Sequence, residues 1–131
     1  MKQTVVVVED EKPIQNMYVW KLESEGFKVF SADNGETGLK KINEVRPDLI
    51  LLDIRMPIMS GDVMLEKLRA TDWGSVIRVI VLTNLSKDEA PHKLRFLNVD
   101  RYIVKAHSTP DQIMTEIREV LNMKINNPKT I

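Results

Sequence analysis

The chain has 131 residues, 43% hydrophobic and 29% charged, which fits one globular domain and argues against disordered or membrane-embedded classes. Nineteen basic and nineteen acidic residues cancel, so no whole-chain field draws in nucleic acid or an anionic membrane. With no Cys, disulfides, thiolate catalysis and zinc–thiolate sites are excluded, and the composition fits a reducing cytoplasm.

The run Val5 to Val8 is apolar and β-branched throughout, the pattern of a central strand buried on both faces, and it ends in Glu9, Asp10 and Glu11. Met1-Lys2-Gln3 leads straight into Thr4 to Val8, a run too short for a signal or membrane segment, and no export is expected. Pro13 suits a first helical turn, with Ile14, Met17, Tyr18 and Leu22 at helical spacing and Gly26 as a stop. Lys28 to Ser31 reads as an edge strand. Asn34-Gly35 then turns the chain into a helix marked by Leu39 and Ile42, which must end before Pro47.

Leu49 to Leu52 is a second buried run, closed by Asp53 and a loop containing Pro57 and Gly61. Met64, Leu65 and Leu68 predict a helix reaching about Trp73-Gly74. Val79 to Leu82 is the next strand, ending at Thr83. Ser86 to Glu89 has the form of a capping box, yet Pro91 would lie inside the helix it begins, at a cost of about 3 kcal/mol. A regular helix is therefore expected from about Pro91, with Leu94 and Leu97 inward. Tyr102 to Val104 is a fifth strand, ending at Lys105; Thr109-Pro110-Asp111-Gln112 caps a last helix with Ile113, Ile117, Val120 and Leu121 inward. Five strands alternating with five helices predict a doubly wound α/β fold, one parallel sheet with helices on both faces. The domain is placed at residues 1–124, with 125–131 as a tail.

In a parallel sheet the carboxyl ends of the strands lie side by side, and ligands bind there. Those ends carry Glu9, Asp10, Asp53, Thr83 and Lys105. Carboxylates a few Å apart repel by about 4 kcal/mol per pair at an effective dielectric of 20, so the cluster requires a cation. Hard oxygen donors with no His or Cys nearby favour Mg²⁺. Beside Mg²⁺ a carboxylate is able to attack a phosphoryl group, which would make Asp53 an aspartyl phosphate.

At this point the chain resembles, over nearly its whole length, the receiver domain of two-component response regulators. The resemblance is carried by Glu9-Asp10, by Asp53-Ile54-Arg55-Met56-Pro57-Ile58-Met59-Ser60-Gly61, and by Thr83, Tyr102 and Lys105. It implies a flavodoxin-like sheet of order 2-1-3-4-5. It also implies Mg²⁺ held by Asp10, Asp53 and the backbone carbonyl of Arg55, with Glu9 assisting through water. A sensor histidine kinase or phosphotransfer protein would supply the phosphoryl group. Thr83 and Lys105 would then bond phosphoryl oxygens, and Tyr102 would turn inward into the space that Thr83 vacates. The output would be a protein-binding surface of the fourth helix, fifth strand and fifth helix. An unknown downstream protein would read it, a phosphorylation-dependent homodimer being allowed. No direct nucleic-acid binding, no membrane contact and no turnover beyond self-phosphorylation and self-dephosphorylation are expected, in a cytoplasmic setting.

Three residues depart from the family pattern. Ala106 stands where Pro usually follows the strand-five Lys, so a trans peptide is expected. Arg55 and Asn84 are expected to line the entrance to the phosphoryl group and to set its lifetime. A haloacid-dehalogenase type of phosphatase needs a second Asp two residues after the nucleophile, where Arg55 stands, and a nucleotide-binding flavodoxin-like protein needs a Gly-rich loop after the first strand. A receiver-like module that no longer takes phosphate would fit Ala106 but not the intact acidic pair. His92 and His107 read as surface residues. Lys87, His92, Lys93, Arg95 and Arg101 read as a solvated face or an output surface.

Overall fold

The computed structural model describes residues 2–123; the tail expected over 125–131 lies outside them. The elements are β1 (Thr4–Val8), α1 (Lys12–Ser24), β2 (Lys28–Ala32), α2 (Gly35–Val45), β3 (Leu49–Leu52), α3 (Gly61–Arg69), β4 (Arg78–Thr83), β5 (Arg101–Val104) and α4 (Pro110–Leu121). All strand pairs are parallel and the order is β2-β1-β3-β4-β5, the flavodoxin-like arrangement.

Each central strand feeds alternate side chains to opposite layers, because successive residues of a strand point to opposite faces. Val5, Val7, Leu49, Leu51, Ile80 and Leu82 pack with Tyr18 and Leu22 of α1 and Ile113, Ile117 and Val120 of α4. Val6, Val8, Ile50, Leu52, Val79 and Val81 pack with Ile42 of α2 and Met64, Leu65 and Leu68 of α3. Burial on both faces explains the uninterrupted apolar runs; β2, with its mixed burial, is the edge that its mixed polarity predicts.

Three local expectations are corrected. Met17, expected inward, lies on the outer side of α1 and is exposed. The third helix stops at Arg69 rather than near Trp73. There the Arg69 guanidinium turns back and donates to the carbonyls of Leu97, Gly74, Ile77 and Asn98, at 2.7 to 2.9 Å. Finally, the helix expected from about Pro91 is one 3₁₀ turn, His92–Phe96, leaving four α-helices among the described residues rather than five.

The cause of that last change is local. Ser86 N–H donates to Glu89 Oε1 (3.0 Å) and Glu89 N–H to Ser86 Oγ (3.3 Å), so the capping box forms, but it closes only a single turn. Pro91, with ψ 131°, then takes the chain out of helical geometry. Leu94 is nevertheless buried against the α2/α3 layer, with Leu97 packed beside it, and Lys93 ties the turn to Asp62 of α3 (3.3 Å).

Candidate functional site

The carboxyl ends of β1, β3, β4 and β5 deliver the site. Ladder-like hydrogen bonds continue just past the strands: Glu9 N–H donates to Ala32 O and Asp53 N–H to Val8 O, both at 3.0 Å. The backbones of two acids are thereby fixed before their side chains make any contact. Beyond Asp53 the chain doubles back, and Gly61 N–H donates to Ile54 O (2.8 Å). A Cβ on Gly61 would stand 2.0 Å from the Asp53 carbonyl oxygen, so only glycine permits this loop. At the loop's tip Ile58 has φ 69° and is 77% exposed, bracketed by a Met59 N–H to Pro57 O bond of 2.7 Å.

One oxygen of each of Glu9, Asp10 and Asp53 lies within 4.8 Å of the others. Glu9 and Asp53 are buried, and Asp10 is the least buried of the three. Lys105 Nζ donates to Asp53 Oδ2 (2.9 Å) and to Glu9 Oε1 (2.5 Å). The remaining oxygens are also engaged, Asp53 Oδ1 by Ile54 N–H (2.7 Å) and Glu9 Oε2 by Glu11 N–H (3.1 Å). Burial pushes the Glu9 carboxyl up to about 7, assisted by the Asp53 charge and opposed by the bonds from Lys105 and Glu11. Burial alone would lower Lys105, but its bonds to Glu9 and Asp53 hold the ammonium above its ordinary range.

This donor set fits Mg²⁺. It offers three carboxylates on one small volume, open on the Asp10 side, with no nitrogen or sulfur ligand among them. Lys105 neutralises only part of that charge.

The other predicted residues are placed as follows. Thr83 ends β4, 1% exposed, and its Oγ1 accepts from Leu85 N–H at 3.4 Å. By strand alternation Thr83 shares the α2/α3 side of the sheet with Val79 and Val81, where Tyr102 also packs. The Tyr102 hydroxyl donates to the carbonyls of Leu85 (2.9 Å) and Ser86 (3.3 Å), which anchors it to the chain just after Thr83. Arg55 lines a cavity of about 590 Å³ together with Asp10, Leu85 and Glu89; Asn84 is exposed and does not line it. The Lys105–Ala106 peptide is trans, and Lys105 reaches Asp53 with Ala in place of Pro. His92 and His107 are exposed.

Sequence reasoning missed Gln15, which is 2% exposed and hydrogen-bonded to the carbonyl of Glu9. Its signal was its place on the inward stripe of α1, three residues before Tyr18 and seven before Leu22.

Residues 5–118 match the family described as the response regulator receiver domain. The phosphate regulon transcriptional regulatory protein PhoB of Escherichia coli K12 is 33% identical over 121 residues, 92% of this chain. The chain spans about half, 52%, of that relative's length. A CheY-like receiver domain from Methanospirillum hungatei superposes with TM-score 0.83 at 28% identity, covering 93% of this chain and 95% of the other. The Thermotoga maritima response regulator TrrA, solved in complex with Mg²⁺–BeF, superposes with TM-score 0.79 at 30% identity over 92% and 99%. No helix among the described residues is long and apolar enough to cross a membrane. With the family match over residues 5–118 and the sheet order of the solved receiver domains it superposes on, the chain belongs to the response regulator receiver domain family.

Proposed function

We propose that this chain is a phosphorylation-operated switch in which Asp53 accepts a phosphoryl group from a histidine kinase or a phosphotransfer protein. The observation that carries the reading is the buried Asp53 carboxylate with Glu9 and Asp10 oxygens within 4.8 Å and the Lys105 ammonium at 2.9 Å. Glu9, Asp10, Asp53 and the backbone carbonyl of Arg55 would hold Mg²⁺, which supplies neutralisation of the carboxylates and of the charge on the transferring group.

The chain's own residues do the rest. Ile54 N–H and Lys105 hold the two Asp53 oxygens and so fix the carboxylate plane before the donor arrives, reducing the orientational cost of transfer. An Asp53 oxygen attacks phosphorus, the P–N bond to the donor histidine breaks, and the nitrogen keeps the electron pair. The product replaces one carboxylate charge with a phosphoryl group near −2. The Thr83 hydroxyl and the Lys105 ammonium then donate to phosphoryl oxygens. Movement of Thr83 pulls the chain that bears the Leu85 and Ser86 carbonyls, and with it the Tyr102 hydroxyl.

Moving a two-state population from 1:99 to 99:1 takes about 5.5 kcal/mol, within reach of a few charge-assisted hydrogen bonds. The surface that changes comprises the 92–96 turn, β5 and α4. There Lys87, Asp88, His92, Arg95, Asp100 and Arg101 border a cavity of about 410 Å³ beside Tyr102, a charged face of mixed sign suited to a downstream protein or a second copy. The switch acts through this surface, in the cytoplasm, and is not a turnover enzyme. It is one receiver unit over residues 1–124, acting through protein contacts rather than through nucleic acid.

The test is incubation with acetyl phosphate and Mg²⁺ followed by intact-protein mass measurement. One added phosphoryl group is expected, with none in Asp53→Asn or after chelation of the metal. No adduct, or an adduct that survives Asp53→Asn, overturns the reading.

A further inference from the structure

Glu9 and Asp10 are adjacent in sequence, and the peptide between them is the hinge that decides how their two carboxylates are aimed. β1 ends at Val8, so beyond it the ladder no longer fixes that peptide on both sides. Its carbonyl is the Glu9 O atom, and a buried amide holds it: Gln15 Nε2 donates to Glu9 O at 2.8 Å. The same NH₂ group lies 3.0 Å from Ala32 O and 2.8 Å from Asp33 Oδ1. The amide oxygen of Gln15 is held in turn, accepting from Lys12 Nζ at 3.2 Å, and Lys12 also pairs with Asp33 at 2.9 Å.

Gln15 is 2% exposed, on the first turn of α1, and its own N–H donates to Glu11 O (2.9 Å). One side chain therefore joins the end of β1, the end of β2 and the loop after β2 to the start of α1. A buried amide satisfied on both its donor and acceptor sides is rigid, because any rotation strands a polar group without a partner. Packing alone does not require an amide here: Tyr18 and Leu22, on the same stripe of α1, fill their places with ring and alkyl carbon.

We infer that Gln15 is a positioning residue of the cation site, fixing the Glu9–Asp10 peptide so that both carboxylates converge with Asp53. It touches neither the ion nor the phosphoryl group. Lys12 and Asp33 support it from outside. This inference rests on the Mg²⁺ reading of the cluster given above and adds that affinity for the ion is set partly from a residue buried beneath it.

The test uses the full chain and Mg²⁺ alone, with affinity measured by titration calorimetry and amide NMR, and stability measured by thermal unfolding without metal. Gln15→Met keeps the length and apolar stem but removes the donors. It is expected to weaken Mg²⁺ binding about tenfold and to shift the Asp10 and Glu11 amides in the metal-free protein. Leu121→Ala, a core change in the α1/α4 layer away from the cluster, is the stability control and is expected to leave the affinity within about twofold of wild type. Asp33→Ala removes an exposed acceptor of the same amide, disturbs folding less, and is expected to weaken binding about threefold.

Gln15→Met and Asp33→Ala both binding within twofold of wild type would overturn the inference. So would a Leu121→Ala loss equal to that of Gln15→Met. If Gln15→Met does not fold, Asp33→Ala decides alone. Wild type failing to bind Mg²⁺ overturns the parent reading as well, whereas wild-type binding that is indifferent to position 15 overturns this inference only.

Discussion

Lys105 Nζ stands 2.9 Å from Asp53 Oδ2, although the two residues follow strands that are not neighbours: β4 lies between β3 and β5. A long side chain thus crosses one strand to reach the Asp53 carboxylate, and it touches Glu9 on the way, at 2.5 Å. In the metal-free protein Lys105 occupies part of the electrostatic role that a divalent cation would fill. Lys105→Met is therefore expected to destabilise the metal-free protein by about 3 kcal/mol at pH 8, since it leaves two buried carboxylates uncompensated. It is also expected to raise Mg²⁺ affinity about tenfold by removing a like charge from beside the ion. Denaturant unfolding and Mg²⁺ titration measure both, and a weaker Mg²⁺ affinity would contradict the competition.

Glu9 gives the pH dependence. Its carboxyl in the folded, metal-free protein is raised to about 7 from an ordinary 4.5. A raised acid favours folding while protonated, so this contribution is fully present below about pH 4.5 and is lost as pH rises through about 7. Lys105, held above its ordinary 10.5, contributes below that value and does not enter the window. Metal-free thermal stability attributable to Glu9 should fall between pH 5 and 8, as estimated from the linkage relation. Stabilisation by Mg²⁺ should rise over the same interval, because ion binding displaces the proton. Thermal unfolding of wild type and Glu9→Gln with and without Mg²⁺ separates the two, and the variant should lose most of both slopes.

Much of this was legible in the sequence because the information was local. Unbroken β-branched runs identified the central strands, and the polar residue after each one identified its place at the sheet's carboxyl edge. What escaped depended on partners distant in the chain. Gln15 looked like an ordinary helix residue until Glu9 O and Ala32 O were found around it. The contact between Glu9 and Lys105 was read as a separate metal assistant and a separate phosphoryl reader, yet the two form one ion pair across 96 positions. The segment after β4 failed for the opposite reason. Two local signals conflicted, and Pro91 prevailed over the capping box, leaving a single 3₁₀ turn where a helix was expected.

Arg55 and Asn84 are both expected to control phosphoryl lifetime, but the structure separates them. Arg55 lines the cavity that also exposes Asp10, whereas Asn84 does not. Arg55→Ala should open a water path and shorten the lifetime of the phosphorylated protein roughly threefold, a barrier change under 1 kcal/mol. Asn84→Ala should change it by less. Decay of the phosphoprotein after removal of donor, followed by intact mass, gives both rates; equal effects would contradict the cavity assignment.

Arg69 is a structural counterpart to Lys105, a partly buried cation with only backbone carbonyls as acceptors. Its four bonds join the end of α3, the loop before β4 and the approach to β5. Arg69→Met should cost about 3 kcal/mol, because hydrogen bonds to a charged donor are worth more than neutral ones and several carbonyls lose their partner. Arg69→Lys should recover less than half of this, since an ammonium cannot span the four acceptors of a planar fork. Urea unfolding measures the difference, and full recovery by Lys would show that charge alone matters.

The most direct test of the switch is chemical location of the phosphoryl group. The protein is treated with acetyl phosphate and Mg²⁺, reduced with borohydride to trap the acyl phosphate, then digested and mapped by mass spectrometry. The expected result is a single reduced position at Asp53, absent without Mg²⁺ and absent in Lys105→Met at the same short reaction time. Reduction at another carboxylate, or at none while the wild-type protein binds Mg²⁺ normally, would contradict the account.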